Sequence, residues 1–231
     1  MIEAIVLAGG LGTRLRPIVQ DMPKVMATVA GKPFLEIVLA NLARKRVNRV
    51  VLSVGFMADT IIGHFGNTFA GMELAYAIEE TPLGTGGAIR LAMSKCEHDH
   101  VFIFNGDTFL DLELDVVERQ WQFDQVPLII GRMVPDTARY GRLLIENERV
   151  TGYTEKGLIG PGLINAGCYV FHRGQLNSYP VNTAFSIEQD YFAKTLHCTS
   201  IGIFVTSGQF IDIGIPEDYA RSQAELAWAC Q

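Results

Sequence analysis

An α/β fold, with a mostly parallel central sheet covered by helices and a smaller antiparallel part, is what this sequence predicts. Three observations carry the prediction. Strand-like and helix-like apolar periodicities alternate from the first residues to about Asp111. The first apolar run, Ile5-Val6-Leu7, breaks abruptly into a glycine-rich loop. After about Asp111 the alternation weakens into short apolar pieces separated by turn residues, the pattern of antiparallel pairing.

Taken in order, Met1 to Gly9 reads as a first strand, since it is short, carries Glu3 and has no basic leader. Pro33 opens a helix at its first position, with Phe34, Leu35, Val38, Leu39 and Leu42 at helical spacing. Arg49 to Val54 is the next strand, Ala58 to Phe65 a helix, and Glu73 to Ile78 a third strand. A loop rich in glycine, with Pro82, leads into a helix ending near Lys95; Gly86 and Gly87 would let that helix start lie close to a ligand. Val101-Phe102-Ile103-Phe104 is a strand buried on both faces that ends in Asn105-Gly106-Asp107. Strand readings follow at Leu128 to Met133, Arg142 to Glu146, Val150 to Glu155 and Ile164 to Phe171, with Asn147-Glu148 as a hairpin turn. Ser186 to Leu196 reads as a helix capped by Ser186, with Glu188 in its first turn. After Pro216, Glu217 to Trp228 closes the chain as a helix, carrying Tyr219, Leu226 and Trp228 toward the core or a homo-oligomer contact. Parallel sheets of this kind receive ligands beyond the carboxyl ends of their strands. The opening loop follows a strand at such an end.

That loop runs Leu7-Ala8-Gly9-Gly10-Leu11-Gly12-Thr13-Arg14-Leu15-Arg16-Pro17, with Pro23-Lys24 a few residues on. Glycines let several N–H groups converge on one anion, and Arg14 and Lys24 add full positive charge. It is not a Walker A loop, for no Lys-Ser or Lys-Thr follows the last glycine. Nor is it a dinucleotide fingerprint, which would need glycine at Leu15. The glycines alone would equally suit a tight turn. The cations beside them favour phosphate.

Composition narrows the classes. With 231 residues, 48% hydrophobic and 19% charged, the chain can bury a substantial core as one domain. The net charge of −6 argues against a nucleic-acid surface, yet residues 1 to 50 hold eight Lys or Arg against three Asp or Glu, a balance of +5, leaving −11 elsewhere. Concentrated positive charge in an acidic chain suits a small anionic ligand. Part of it, Arg44-Lys45-Arg46 with Arg49, reads more simply as the polar end of a helix. No apolar run is long enough to cross a bilayer, so no membrane partner and a cytoplasmic location are expected. Cys96, Cys168, Cys198 and Cys230 are scattered, which suggests neither zinc nor a disulfide framework. His98-Asp99-His100 reads as a solvated link before a strand and receives no role.

The series Leu-Ala-Gly-Gly-x-Gly-Thr-Arg-Leu-x-Pro with the later Pro-Lys resembles the signature of the sugar-1-phosphate nucleotidyltransferases, also called nucleoside-diphospho-sugar pyrophosphorylases. The resemblance runs through almost the whole chain. It implies a Rossmann-like three-layer nucleotide-diphospho-sugar transferase fold in a single domain, 1–231. Residues to about 110 and the last strand would form the nucleotide and metal side, and about 111–205 the sugar-binding side. It assigns nucleotide binding to Leu7, Ala8, Gly9, Gly10, Gly12, Thr13, Arg14, Glu80, Pro82 and Gly84, with Arg14, Lys24 and Asp107 catalytic. Asp107 and Asp212, in Phe210-Ile211-Asp212-Ile213-Gly214-Ile215-Pro216, match the metal positions, and paired carboxylates with phosphate oxygens suit Mg²⁺. Ile215 stands where the family usually has Thr, which puts only a local hydroxyl contact in question.

On the sugar side the resemblance points to Tyr140-Gly141, Glu155-Lys156 and Asn165-Ala166-Gly167. Glycine at 141 would let backbone approach the ring, Glu155 and Asn165 can bind hydroxyls, and Lys156 can hold the phosphate. Singly, Glu155-Lys156 is an ordinary surface pair; the ordered set is not. Glu188 and Asp190 suit either the sugar or the helix terminus. Glu80 is the candidate for reading the base, since a carboxylate can accept both N1–H and the amino group of guanine. That favours GTP, although some uridylyltransferases of the family carry a Glu nearby, and an exposed loop glutamate is the plainer alternative.

The implied reaction is attack of a sugar 1-phosphate on the α-phosphorus of a nucleoside triphosphate. Within the family the motifs look most like D-glycero-α-D-manno-heptose 1-phosphate guanylyltransferases, which make GDP-heptose for bacterial surface polysaccharide. Mannose-1-phosphate guanylyltransferase and an amino-sugar 1-phosphate uridylyltransferase are the rivals. A non-catalytic nucleotide-sugar sensor is the reading from another class, and the retained acidic positions and loop arginine speak against it. The chain stops soon after its last helix, so the left-handed β-helix acyltransferase domain of some relatives is not expected.

Overall fold

The first strand, β1 (Ile2–Leu7), buries Ala4, Ile5 and Val6 completely, as a strand covered on both faces must. The computed structural model describes residues 1–10, 12, 15, 19, 22–196 and 198–230. A hairpin of β2 (Thr28–Val29) and β3 (Lys32–Pro33) leads to α1 (Phe34–Arg44). Its apolar stripe, Phe34, Leu35, Val38, Leu39 and Leu42, is buried as the spacing predicts, with Pro33 one place earlier than expected, as the cap. Next come β4 (Val47–Val54), α2 (Ala58–Phe65), β5 (Thr68–Phe69), β6 (Met72–Ile78), α3 (Gly84–Met93) and β7 (His100–Asn105). The second half holds β8 (Thr108–Leu110), α4 (Leu114–Asp124), β9 (Leu128–Val134), β10 (Leu143–Glu146), β11 (Arg149–Tyr153) and β12 (Gly162–His172). A π-helical stretch, Ile187–Phe192, then runs into one α turn, α5 (Ala193–Thr195), followed by β13 (Gly202–Thr206), β14 (Phe210–Asp212) and α6 (Pro216–Glu225).

Ten strands form one sheet in the order β10-β11-β13-β9-β12-β7-β1-β4-β6-β5. The run β7-β1-β4-β6 is parallel throughout. β12 lies antiparallel to both β7 and β9, while β13 is parallel to β9 and antiparallel to β11. The short strands of the second half thus extend the parallel sheet sideways. Because successive strands step outward from β1 to β6 and the chain then returns to β7 on the other side, the order reverses between β1 and β7. A crevice opens at such a reversal. β8 and β14 pair apart from the large sheet, as a ribbon at that crevice, with Asp212 opposite Thr108.

Two apolar layers complete the fold. Ala4 and Val6 face a core shared with α1 and with Leu114, Val117 and Trp121 of α4, whereas Ile5 faces Ile89, Ala92 and Met93 of α3 together with Phe171, Tyr191 and Phe192. The alternation along one strand therefore sets up helix, sheet and helix layers. Several elements were not expected from the sequence, α4 and β13 among them. α4 buries only three side chains, too sparse a stripe to stand out, and β13 is a five-residue run that periodicity alone does not distinguish from loop.

Some charges have uses other than those expected. Arg49 does not belong to a helix end: it lies in β4, 8% exposed, and donates to the fully buried Glu3 at 2.5 Å and to Glu73 at 3.1 Å. Glu3 also accepts from the backbone N–H groups of Glu97 and His98. His100 is no solvated link either, for it bonds Glu118 at 2.8 Å and stacks on Trp121. Cys96 and Cys168 are buried free thiols, and Cys198 is an exposed one. Among the described residues no helix is long and apolar enough to cross a membrane.

Candidate active site

A cleft of about 680 Å³ opens beyond the carboxyl ends of β1, β4, β6 and β7. Of the residues expected to bind nucleotide, Leu7, Gly9, Gly10, Gly12, Glu80, Pro82 and Gly84 line it, as do Lys24 and Asp107. Ala8 is buried behind the wall, its N–H bonded to Ser53 O at 2.7 Å. Thr13 and Arg14 lie outside the described residues. The cleft also takes in Gly55, Phe56, Glu79, Thr85 and Asn105, which the sequence reading did not single out as site residues.

Glycine is required at two points of the loop. At Gly9 an added Cβ would lie 2.6 Å from Glu79 Oε1 and 3.1 Å from Gly55 N, so the backbone passes directly over a carboxylate. Gly12, at φ +57, leaves room for the Lys24 stem, which an added Cβ would meet at 2.6 Å. Glu79 is fixed beneath the loop by Ser53 Oγ and the Leu83 N–H. Its neighbour Glu80 stands exposed at the cleft wall. Sequence alone does not separate these adjacent glutamates. The partners just past the end of β6 do, holding Glu79 inward on Ser53 and Leu83 while Glu80 faces out.

Gly86 and Gly87 depart from expectation. Their N–H groups both go to Phe185 O, and an added Cβ at Gly86 would strike the Phe185 ring. Gly86 and Gly87 thus serve internal packing, while Gly84, Thr85 and Ala88 keep the start of α3 at the cleft wall.

The acidic side is built by the ribbon. Asp107 follows β7 and directly precedes β8, Asp212 ends β14, and the Ile213 N–H donates to Asp107 O at 3.0 Å. Lys24 Nζ lies 2.6 Å from Asp107 Oδ2, on a side chain only 9% exposed. Burial pushes the Asp212 carboxyl above the ordinary carboxylate range, and the Asp107 charge pushes the same way. Lys24 and the Gly214 N–H, 2.6 Å from Asp212 Oδ1, oppose them. Two carboxylates and one ammonium thus share a confined space, and Asp212 responds to both of the others.

The expected sugar-side residues come together from three segments. Residues 137–142 are laced to 154–160: Gly157 N donates to Ala138 O, Thr137 Oγ1 to Leu158 O and Arg142 Nη2 to Ile159 O. Tyr140-Gly141 and Glu155-Lys156 therefore sit on touching loops, and Arg142 pairs with Ile164, next to Asn165. Gly141 packs against its own chain, since an added Cβ would lie 2.7 Å from Thr154 O. Glu155 and Lys156 are exposed. Tyr140 is half-buried, and burial, then the Asp212 charge, raises its phenol. Arg139 beside it donates to Asp218 at 2.5 Å, tying this loop to α6. A bulge in β12 carries Gly167, at φ +69, against Asn105 in the cleft. The segments expected on the sugar side thus border the cleft and the acidic ribbon.

Comparison with known proteins identifies the family. Residues 3–227 match the family model described as nucleotidyl transferase. A D-glycero-alpha-D-manno-heptose 1-phosphate guanylyltransferase of Aneurinibacillus thermoaerophilus is 38% identical over 97% of this chain and 98% of that protein. A mannose-1-phosphate guanylyltransferase of Mycobacterium tuberculosis is 34% identical over 97% of this chain but 64% of its own length. The crystal structure of HddC from Yersinia pseudotuberculosis complexed with GMP-PN superposes with a TM-score of 0.88 at 37% identity, over 98% of this chain and 100% of that one. With the family model covering nearly every residue, the chain is an enzyme of the nucleotidyl transferase family.

Proposed function

We propose that the protein transfers GMP from GTP to D-glycero-α-D-manno-heptose 1-phosphate, releasing pyrophosphate and forming GDP-heptose. The observation that carries the reading is the meeting of Lys24, Asp107 and Asp212 at the mouth of a glycine-walled cleft. The heptose and the guanine are supported by the full-length similarity to the guanylyltransferase of Aneurinibacillus thermoaerophilus and by Glu80 at the cleft wall. The similarity to a mannose-1-phosphate guanylyltransferase favours mannose 1-phosphate as the second reading.

In the proposed step a phosphate oxygen of the sugar 1-phosphate forms a bond to the α-phosphorus of GTP as the bond to the bridging oxygen of pyrophosphate breaks. The attacking monoester is already an anion, so the chain need supply no nucleophile. Its task is alignment and charge compensation. Lys24 places an ammonium among the phosphates, the glycine loop offers backbone N–H groups, Arg14 adds a second cation, and Lys156 orients the attacking phosphate. Glu155, Asn165 and Tyr140-Gly141 hold the sugar.

Asp107 and Asp212 would hold a divalent cation, taken as Mg²⁺. The donor set fits, for hard carboxylate oxygens suit that ion, and burial, then the Asp107 charge, raises the Asp212 carboxyl, a cost that a bound cation would reduce. When bound, the ion offsets charge on the triphosphate. Residues to about 110 with the last strand form the nucleotide and metal side, and about 111–205 the sugar side. A panel of nucleoside triphosphates against sugar 1-phosphates, scored by pyrophosphate release, tests the reading.

A further inference from the structure

Glu188 stands in the first turn after Ser186, where a carboxylate would be expected to serve the helix start. That service is performed by Asp190 instead, whose Oδ2 accepts the Ser186 N–H at 2.8 Å. The Glu188 side chain turns inward and collects three hydroxyls. Thr85 Oγ1 lies 3.0 Å and Ser186 Oγ 2.9 Å from its Oε2, and Tyr169 Oη lies 3.3 Å from its Oε1.

The direction of each bond follows from the partners. Thr85 Oγ1 accepts the Ile187 N–H and Ser186 Oγ accepts the Gln189 N–H, so both hydroxyl protons are free to point at Glu188. An ionised carboxylate only accepts, so Tyr169 must donate to it as well. The Tyr169 oxygen is then left to accept, and it accepts a hydrogen bond from Asn165 Nδ2 at 2.8 Å. At its other end Asn165 Oδ1 accepts the Gly167 N–H at 2.9 Å. The amide is thereby held in one orientation, with its second N–H still to be used. Aromatic rings wall the network: Tyr169 packs at 5.3 Å and Tyr153 at 6.4 Å from Phe192, ring centre to ring centre. In such surroundings a polar network has a strong preference for one fully bonded arrangement.

We propose that Glu188 is a positioning residue: through Tyr169 it fixes which end of the Asn165 amide meets the bound sugar, while its bonds to Thr85, in the first turn of α3, and to Ser186 hold its own carboxylate in place. The inference rests on the reading above in one respect, that Asn165 contacts the sugar 1-phosphate. Glu188→Gln keeps the shape but brings amide protons to a place where three hydroxyls already donate. Tyr169→Phe cuts the link to Asn165 and leaves the Thr85 and Ser186 bonds intact.

Steady-state kinetics on the full chain, with circular dichroism as the control for folding, reads the effect. Each variant should raise KM for the sugar 1-phosphate about tenfold, the scale of one charge-assisted hydrogen bond. KM for GTP and kcat should stay within about twofold, since the lost contact belongs to the sugar alone. The double variant should be no worse than either single one, because both break the same chain of bonds. The side-chain amide resonances of Asn165, identified by their loss in Asn165→Asp, should also shift in substrate-free Glu188→Gln. An unchanged sugar KM in Glu188→Gln, equal rises in both KM values, additive effects in the double variant, or an unmoved Asn165 amide overturns the proposal. If Asn165→Asp itself leaves sugar KM unchanged, the assignment of Asn165 to the sugar fails and the proposal falls with it. If Asn165→Asp raises that KM and Glu188→Gln does not, only the coupling is wrong.

Discussion

Lys24 Nζ stands 2.6 Å from Asp107 Oδ2, on a side chain 9% exposed, where its charge also acts on Asp212. A buried ammonium bonded to one carboxylate and acting on a second from a distant part of the chain is compensation for their repulsion. It is also placed to compensate phosphate.

Substitutions should separate these two tasks. Asp107→Asn and Lys24→Met should each lower turnover by about a hundredfold or more, as expected when charge stabilisation of a transferring phosphoryl group is removed. Their stabilities should differ. Lys24→Met leaves two like charges uncompensated and should melt at a lower temperature than Asp107→Asn, which removes one of them. Pyrophosphate-release kinetics and thermal melts check both, and near-normal turnover in either variant would defeat the assignment.

Asp212 gives a pH dependence with a definite sign. Its native carboxyl is raised by burial and then by Asp107, so the native state holds that proton where the unfolded chain has released it. The stability from this group is present below the ordinary carboxylate value and lost as pH rises through the raised native one. At neutral pH the wild type has lost it. Asp212→Asn keeps an oxygen for the Gly214 N–H and should therefore melt higher than wild type at neutral pH in chelator. The gap should close as the solution is acidified. A variant less stable at every pH would contradict this.

How much of this was readable in advance depended on what each residue needed. α2 was legible over Ala58 to Phe65 because its boundaries coincide with its apolar spacing, and the turn at Asn147-Glu148 because both residues adopt left-handed φ, at 48° and 59°. Asp107 and Asp212 were legible as a pair through family resemblance, and the β8–β14 ribbon brings them together. Glu79 was not, since its inward turn depends on Ser53 and the Leu83 N–H, contacts made just past the end of β6. Nor was the Phe185 plug at α3, or the inward swing of Glu188 in a π-helical turn that no sequence period announces. Long-range partners decided those positions, and local pattern is silent on them.

Glu80 should govern the base. Its side chain is exposed at the cleft wall, so its removal should cost little in folding. Glu80→Ala should raise KM for GTP about tenfold or more through two lost hydrogen bonds. Turnover at saturating GTP and KM for the sugar 1-phosphate should change little. An unchanged KM for GTP would leave Glu80 as a surface residue.

The thiols should react in an order set by burial. Burial, with the Glu3 charge, pushes Cys96 up to about 12, and burial raises Cys168 well above the ordinary thiol value. Alkylation at pH 8 followed by peptide mass mapping should label the exposed Cys198 ahead of both. Because unfolding frees these thiols to ionise, their contribution to stability should be lost as pH rises above the ordinary thiol value of 9.0 toward the raised one. Early labelling of Cys96 or Cys168 in the folded protein would overturn the burial argument.

The most direct measurement pairs GTP, UTP, dTTP and CTP with heptose, mannose and amino-sugar 1-phosphates and follows pyrophosphate release with and without Mg²⁺. The expected result is Mg²⁺-dependent turnover highest for GTP with D-glycero-α-D-manno-heptose 1-phosphate, and lost in Asp107→Asn. Undiminished release by Asp107→Asn, or nucleotide-sugar binding with no turnover of any pair, would contradict it.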